Sequence, residues 1–206
     1  MNKINYQKKL DEIIAQNKRE DRLPSLLLHS CCAPCSSYTI EYLSEYFKIT
    51  VLYYNPNISP PEEYEKRKAE QIRLINAMKT KNKVELEDCD YSGADFEEIA
   101  KGYEKCKEGG ERCFRCYRLR LEKTARLARE KGFDYFCTTL SISPLKNAQK
   151  INETGYTLEK EYGVSWLPSD FKKKEGYKRS IELSREYGLY RQSFCGCVYS
   201  REYNNE

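Results

Sequence analysis

The sequence predicts an α/β fold in which a mostly parallel sheet is flanked by helices. Short apolar or β-branched runs alternate with longer segments of helical spacing, and this alternation is typical of strands joined by crossover helices. No sequence repeat or low-complexity tract interrupts it. We therefore expect a single domain over residues 1–206, with an N-terminal helix extension (1–22), an α/β core (23–170) and a helical C-terminal segment (171–206).

Five short runs have the composition expected of buried strands. Apolar, β-branched and aromatic side chains dominate them, and Asn55-Pro56 and Pro60-Pro61 mark a loop after the second run. The predicted strands cover residues 25–29, 49–54, 84–86, 133–138 and 164–167. Sites in parallel sheets form beyond the carboxyl ends of the strands, so the residues that follow 29 and 138 are candidates for function.

Segments with helical spacing separate and follow these strands. Pro61 suits the start of one helix, and Gly132 and Gly188 suit the ends of two others. Gly155 falls inside a predicted helix and weakens it, and Ser143 is a candidate helix cap. The predicted helices cover residues 36–46, 62–78, 95–103, 113–131, 145–162 and 173–187.

Charge and cysteine content restrict the class of protein. Charged residues make up 33% of the chain, and no apolar run reaches the length of a membrane span. Residues 1–17 are polar and lack the apolar segment of a secretory signal, so we expect a cytoplasmic protein. In that compartment ten cysteines favour metal or redox chemistry over a disulfide framework. The net charge of +4 mildly favours an anionic partner.

The first cysteine group is the turn Cys31-Cys32-Ala33-Pro34-Cys35. It lies between a predicted strand and a predicted helix, where free backbone N–H groups and the helix dipole stabilise thiolates. The three sulfurs converge on one point of the chain, and Pro34 stiffens the turn.

The second group is Cys113-Phe114-Arg115-Cys116, also at a predicted helix start. A two-residue spacing places both sulfurs on one side of a helical turn, as in zinc and iron–sulfur sites. Four thiolates from two turns can complete one site, and Cys31, Cys32, Cys113 and Cys116 are the natural set. A structural zinc is the alternative occupant, although adjacent cysteines are unusual in such sites.

The third group, Cys195-Gly196-Cys197, suits electron transfer. One intervening residue permits only a small, strained disulfide ring, with Gly196 providing the unusual backbone angles. Strained disulfides are easily reduced, so this pair is predicted to be redox-active. By contrast, Cys137 lies in an apolar strand and is predicted to be a core residue.

The remaining candidates are polar and basic. His29 is the sole histidine and ends a buried strand, which favours a supporting role over metal ligation. Arg112, Arg115 and Arg118 begin the helix beside the second group and could hold phosphates of a nucleic acid. Further candidates lie in the loop after residue 138, where Lys146 and Asn147 could contact substrate.

Four segments together resemble a known family. They read LHSCCAPCSSYTIEYL, GGERCFRCYRLRLEKTA, TTLSISPLKNAQKIN and YRQSFCGC, in this order. The combination is similar to epoxyqueuosine reductases of the QueH family over nearly all of the chain from Leu26 to Cys197. The resemblance implies a cobalamin-independent oxidoreductase that performs the last step of queuosine synthesis, with tRNA as substrate and an external electron donor. The implied fold is the HUP-type domain of PP-loop enzymes, with the cysteine turn replacing the phosphate loop.

The resemblance also implies the cofactors. A [4Fe-4S] cluster would be held by Cys31, Cys32, Cys113 and Cys116, and Cys195 with Cys197 would form the redox-active pair. A second metal ion, expected to be iron, would lie beside the cluster. We hypothesise that Cys35, a supporting His29 or a bound water completes the second-metal site.

The implied reaction converts the epoxide of epoxyqueuosine in the tRNA anticodon loop to the cyclopentene of queuosine. It consumes two electrons and two protons, and a tyrosine, Lys146 or a metal-bound water could donate a proton. Two alternatives remain. A PP-loop-type tRNA sulfur transferase would need a Ser- and Gly-rich ATP loop where this chain reads SCCAPC, and a zinc-bound RNA-binding module would have no catalytic role.

Overall fold

A computed structural model describes residues 4–202 of the chain. Its five strands form one sheet in the order β3-β2-β1-β4-β5, and every neighbouring pair is parallel. The strands are β1 (Ser25–His29), β2 (Lys48–Leu52), β3 (Val84–Glu87), β4 (Tyr135–Thr138) and β5 (Ser165–Trp166). The predicted α/β class with a mostly parallel sheet is confirmed.

Helices connect the strands and cover the sheet. In chain order they are α1 (Tyr6–Arg19), α2 (Ala33–Leu43), α3 (Pro61–Ala77), α4 (Gly93–Ala100), α5 (Glu111–Glu130), α6 (Ala148–Tyr162), α7 (Gly176–Glu186) and α8 (Val198–Glu202). A 3₁₀ helix (Thr139–Ile142) follows β4. Helix α5 packs against β1, β4 and α6, and α2 packs against α7. Within the described residues, no helix is long and apolar enough to cross a membrane.

The central strand β1 is completely buried over its apolar residues. Leu26, Leu27 and Leu28 have no exposed surface, because a parallel sheet with helices on both faces buries both sides of its middle strands. His29 pairs in register with Leu52 of β2 and with Thr138 of β4. The carboxyl ends of these three strands therefore meet at one edge of the sheet.

Helices α2 and α6 begin at different residues from those that the sequence predicts. Helix α2 begins at Ala33, not at residue 36, because Cys32 occupies the cap position and Pro34 is tolerated in the first turn. Helix α6 begins at Ala148 after the cap residue Asn147, whose Oδ1 accepts a hydrogen bond from the backbone N–H of Lys150. The prediction that Ser143 caps a helix starting at residue 145 is therefore wrong.

The predicted helix from residue 173 is also shorter than expected. Lys174 and Glu175 have φ angles of 53° and 58°, which are left-handed and end any helical path through them. Helix α7 starts at Gly176, where a Cβ atom would lie 2.1 Å from the carbonyl oxygen of Phe171. Backbone conformation and close packing, neither visible in the hydrophobic spacing, set this boundary.

Gly155 provides a stability test of the packing between α6 and the sheet. A Cβ atom at this position would lie 2.2 Å from Cδ2 of Trp166, which is 2% exposed. We expect Gly155→Ala to lower the free energy of unfolding by about 1–3 kcal/mol, because the clash outweighs the better helix propensity of alanine. Urea unfolding measures the change, and Thr157→Ala on the exposed side of α6 is the matched control. Equal stability of Gly155→Ala and the parent protein would contradict this packing.

Candidate active site

The three predicted cysteine groups meet at the carboxyl edge of the sheet. The first group follows β1, the second begins α5 and the third precedes α8. Cys195 lines a cavity of about 370 Å³ together with Cys32 and Cys35. It also lines a second, small cavity with Cys113, Cys116 and Cys197. Cys195 therefore lies between the first two groups.

The cysteine turn forms a compact set of sulfur ligands. The Sγ atoms of Cys31, Cys32 and Cys35 all lie within 4.8 Å of one another, close enough to share a metal ion. Thr139 supports this turn from the 3₁₀ helix, since its Oγ1 accepts a hydrogen bond from the Cys31 N–H at 3.2 Å and lies 3.4 Å from Cys31 Sγ. The first turn of α2 thus presents three thiols at the edge of the sheet.

Charge is unevenly distributed among these thiols. Hydrogen bonds from Cys32 and Cys35 hold the pKa of Cys31 well below its usual range, despite the opposing effect of burial. Donation to Cys31 raises the pKa of Cys32 to about 12 and that of Cys35 as well. Of the three thiols, Cys31 is therefore the one whose surroundings most favour the thiolate.

Buried polar side chains of neighbouring elements hold the cysteine turn in place. Ser30 and Ser36 both donate hydrogen bonds to Gln71 Oε1 of α3, at 2.7 and 2.8 Å. Asn55 Nδ2 donates to the carbonyl oxygen of Ser30 at 2.8 Å. These bonds tie the turn to α3 and to the loop after β2, so the position of the thiols is fixed by neighbouring elements.

The second group lies in the first two turns of α5, as predicted. The backbone N–H of Gly109 donates a hydrogen bond to Cys113 Sγ at 3.3 Å. Cys116 is 6% exposed, and burial raises the pKa of its thiol to about 11. Both cysteines face the small cavity that also contains the third group.

The third group is held by a buried arginine from α3. Gly196 has a φ angle of 110°, a conformation that other residues rarely adopt, and a Cβ atom there would lie 3.0 Å from Arg67 Nη1. Arg67 Nη1 donates to the carbonyl oxygen of Cys195 at 3.3 Å. Cys195 and Cys197 are both free cysteines in the structure, with no disulfide between them.

Two cations lie among the three cysteine groups. Arg120 is 2% exposed; burial disfavours its charge, but the neighbouring thiols of Cys116, Cys195 and Cys31 raise its pKa. Lys146 Nζ lies 3.3 Å from Cys195 Sγ. The charges of these side chains interact with sulfurs from all three groups.

These cations have no carboxylate partners among the described side chains. Arg120 donates to the Cys116 carbonyl oxygen and to Asn55 Oδ1, and Lys146 donates to Cys195. A buried charge without a counter-charge is costly. The sulfurs are the nearby groups that could balance this charge, as they would if they were bound to a metal as thiolates.

Comparison with known proteins identifies the family. Residues 26–203 match the family model described as epoxyqueuosine reductase QueH. The chain is 45% identical over 200 residues to the epoxyqueuosine reductase QueH of Streptococcus pyogenes, covering 96% of this chain and 78% of that protein. The chain belongs to the QueH family. Its similarity extends to the QueH proteins of Staphylococcus epidermidis (46% over 202 residues; 96% and 85% covered) and Thermotoga maritima (39% over 184 residues; 85% and 90% covered).

The region that matches the QueH family model contains all three cysteine groups. It begins in β1, one residue after Ser25, and includes Cys197 and α8. The family predicted from sequence is confirmed, and with it the prediction of an oxidoreductase.

The structure places the predicted substrate residues of this QueH protein in different surroundings. Arg112 is 2% exposed and its Nη1 donates 2.8 Å hydrogen bonds to the carbonyl oxygens of Tyr103 and Glu104, so its guanidinium is buried and is not presented to a phosphate at the surface. Arg115 stacks on the Tyr103 ring, and Arg118 pairs with Glu161 at 2.8 Å. The Asn147 side chain caps α6.

His29 is held by protein contacts at both ring nitrogens. Its Nδ1 lies 2.8 Å from Thr138 Oγ1 and its Nε2 lies 3.1 Å from the carbonyl oxygen of Tyr54. Burial lowers its pKa to about 3, so the ring is neutral, with Nε2–H donating and Nδ1 accepting. Both ring nitrogens are thus engaged with the protein, and His29 joins the ends of β1 and β4.

Some residues of the site carried a signal that the sequence prediction did not use. Arg120 follows Cys116 by four residues, which places both on one face of α5. That spacing indicates an arginine beside the cysteines, and the structure shows that it is buried. Asn55, in contrast, was predicted only to be a loop residue. In the structure its side-chain amide bridges Ser30 and Arg120, a contact that no sequence pattern indicates.

Proposed function

We propose that this chain reduces the epoxide of epoxyqueuosine in the anticodon loop of tRNA to the cyclopentene of queuosine, without cobalamin. Membership of the QueH family supports the reaction. The observation that carries the proposal is the meeting of three cysteine groups around Arg120 and Lys146, two cations without carboxylate partners among the described residues. This arrangement is suited to redox chemistry and has no evident purpose in a module that only binds RNA.

The residues present fit an anionic metal–sulfur group. Cys31, Cys32, Cys113 and Cys116 would hold a [4Fe-4S] cluster, whose thiolate-bound form is negatively charged and is therefore compatible with the neighbouring cations. Cys35 would contribute to a second metal site, occupied by iron. When bound, these groups would supply electrons one at a time and a Lewis acid for the epoxide oxygen.

The Cys195–Cys197 pair matches the electron requirement of the reaction. One epoxide takes up two electrons and two protons and gives an alkene and water. A dithiol releases two electrons and two protons when it closes to a disulfide. Because Cys195 lines both cavities, the pair lies where it can deliver electrons to the site, and an external donor must then reduce it again.

The cavity of about 370 Å³ is the proposed site for the modified base. It lies within the size range of small-molecule sites, and Cys32, Cys35 and Cys195 form one part of its wall. Phe194 contributes an aromatic surface to this wall. Gln192 Oε1 is buried and has no hydrogen-bond partner within the described part of the chain, so it is available to a donor on the base.

Arg115 and Arg118 are proposed to contact the tRNA backbone. Their side chains are 44% and 43% exposed in the first turns of α5, beside Cys113 and Cys116. Phosphate contacts by such side chains weaken as the salt concentration rises. The target nucleotide would leave the anticodon loop to reach the cavity, as in other enzymes that modify a base.

The test is anaerobic reconstitution with iron and sulfide, followed by reaction with tRNA that carries epoxyqueuosine. Mass analysis of the digested tRNA should show loss of one oxygen atom from the modified base when a reductant is present. Incorporation of sulfur would instead indicate a sulfur transferase. A colourless protein with stoichiometric zinc and no change in the base would indicate an RNA-binding module, and either result would overturn the proposal.

A further inference from the structure

The two sulfurs of the Cys195–Cys197 pair have different surroundings. Cys195 is half-buried and opens into the cavity of about 370 Å³. Cys197 is 8% exposed, and burial raises the pKa of its thiol. A solute that enters the cavity therefore reaches Cys195 first.

Lys146 distinguishes the two sulfurs further. Its Nζ lies 3.3 Å from Cys195 Sγ, and no carboxylate among the described side chains competes for it. Burial and the charge of Arg120 disfavour the ammonium of Lys146. The neighbouring groups of Cys195, Tyr117 and Cys31 outweigh them and raise the pKa of Lys146. Lys146 is thus a fixed positive charge beside one sulfur of the pair, and such a charge stabilises a thiolate.

We propose that Lys146 makes Cys195 the reactive, outward sulfur of the pair, and that an external dithiol reduces the pair through a mixed disulfide at Cys195. The inference deepens the proposed function, because it assigns an order and a donor class to the reduction of the pair. Lys146 is a positioning residue in this scheme, since it acts through Cys195.

The exchange balances in two steps. A donor thiolate attacks Cys195 Sγ, the Cys195–Cys197 bond breaks, and Cys197 leaves and takes up a proton. The second donor thiol loses its proton to solvent and attacks the donor sulfur of the mixed disulfide. Cys195 then leaves as a thiolate beside Lys146, the donor is oxidised to its disulfide, and the pair has gained two electrons.

Pulse alkylation of the reduced, cluster-loaded protein tests the asymmetry. Residues 192–201 form a tryptic peptide that contains both cysteines, so fragmentation in the mass spectrometer assigns each label. At neutral pH we expect iodoacetamide to label Cys195 about tenfold faster than Cys197, because Cys195 opens into the cavity whereas burial raises the pKa of the Cys197 thiol. Preferential labelling of Cys197 in the parent protein would overturn the proposal, and this comparison needs no variant.

Variants of Lys146 test its part in the asymmetry. Lys146→Gln should slow labelling of Cys195 by about tenfold, because the ammonium 3.3 Å from its sulfur is lost, while Lys146→Arg should keep most of the rate. Lys150→Gln removes a lysine that does not contact Cys195, and it is the matched control. Unchanged labelling of Cys195 in a folded Lys146→Gln protein would refute the role of Lys146.

Glutathione disulfide is the probe for the position of the mixed disulfide. Cys197→Ser should form the glutathione adduct at residue 195, and Cys195→Ser should leave Cys197 unmodified. An adduct at Cys197 that forms as fast would overturn the proposed order. None of these readouts uses tRNA, so their failure is distinguishable from failure of the reductase reaction itself.

Discussion

Replacement of Cys113 by serine is expected to abolish iron–sulfur cluster loading and, with it, reduction of epoxyqueuosine. A serine hydroxyl does not replace a thiolate as a cluster ligand at neutral pH, and the proposed cubane site uses four cysteines, the usual ligand set of such clusters. In the proposed site two of these ligands come from α5. Iron, acid-labile sulfide and visible absorption after anaerobic reconstitution measure loading, and mass analysis of the tRNA base measures activity.

Cys35→Ser provides the informative comparison. If Cys35 binds only the second metal, this variant should keep the sulfide and visible absorption of the cluster. It should lose only the iron of the second site, and with it the activity. The sulfurs of Cys31, Cys32 and Cys35 lie within 4.8 Å of one another, so these three residues are a competing ligand set. Loss of the cluster in Cys35→Ser together with its retention in Cys113→Ser would assign it to that set. Cys106→Ser, outside both groups, is the control.

The position of the site was predictable from sequence because it depends on the sheet. β1 spans Ser25–His29 as predicted, and a parallel strand directs the residues that follow it to the functional edge. Both predicted cysteine turns lie at helix starts. Hydrophobic spacing and helix-start signals are local properties, and they were sufficient for these features.

Contacts between distant elements were not predictable in the same way. Arg112 was predicted to be a phosphate ligand because its charge is visible in the sequence. Its burial, however, depends on how residues 103–104 pack against α5. Lys146 was predicted to contact substrate, and in the structure its Nζ contacts Sγ of Cys195, 49 residues further along the chain. Tertiary packing decides which partner a charged side chain contacts, and the spacing of residues in the sequence does not predict that partner.

Replacement of Cys195 by serine is expected to preserve the colour of the cluster but to stop multiple turnover. None of the proposed cluster ligands is changed, so iron and sulfide content should match the parent protein. The variant, however, lacks the dithiol that stores the two electrons consumed by each epoxide. With a dithiol as the sole electron source, we expect about one product or fewer per protein chain, whereas the parent protein continues to turn over.

A time course of queuosine formation at excess tRNA distinguishes the two behaviours. Cys106→Ser is again the matched control, because it removes a half-buried cysteine that lines neither cavity. Undiminished turnover by Cys195→Ser would remove the pair from the reaction, even if the cluster assignment holds. Loss of colour in the same variant would instead make Cys195 a ligand. The position of Cys195 between the two cavities is compatible with either role, and only the combination of intact colour and single turnover assigns it to electron storage.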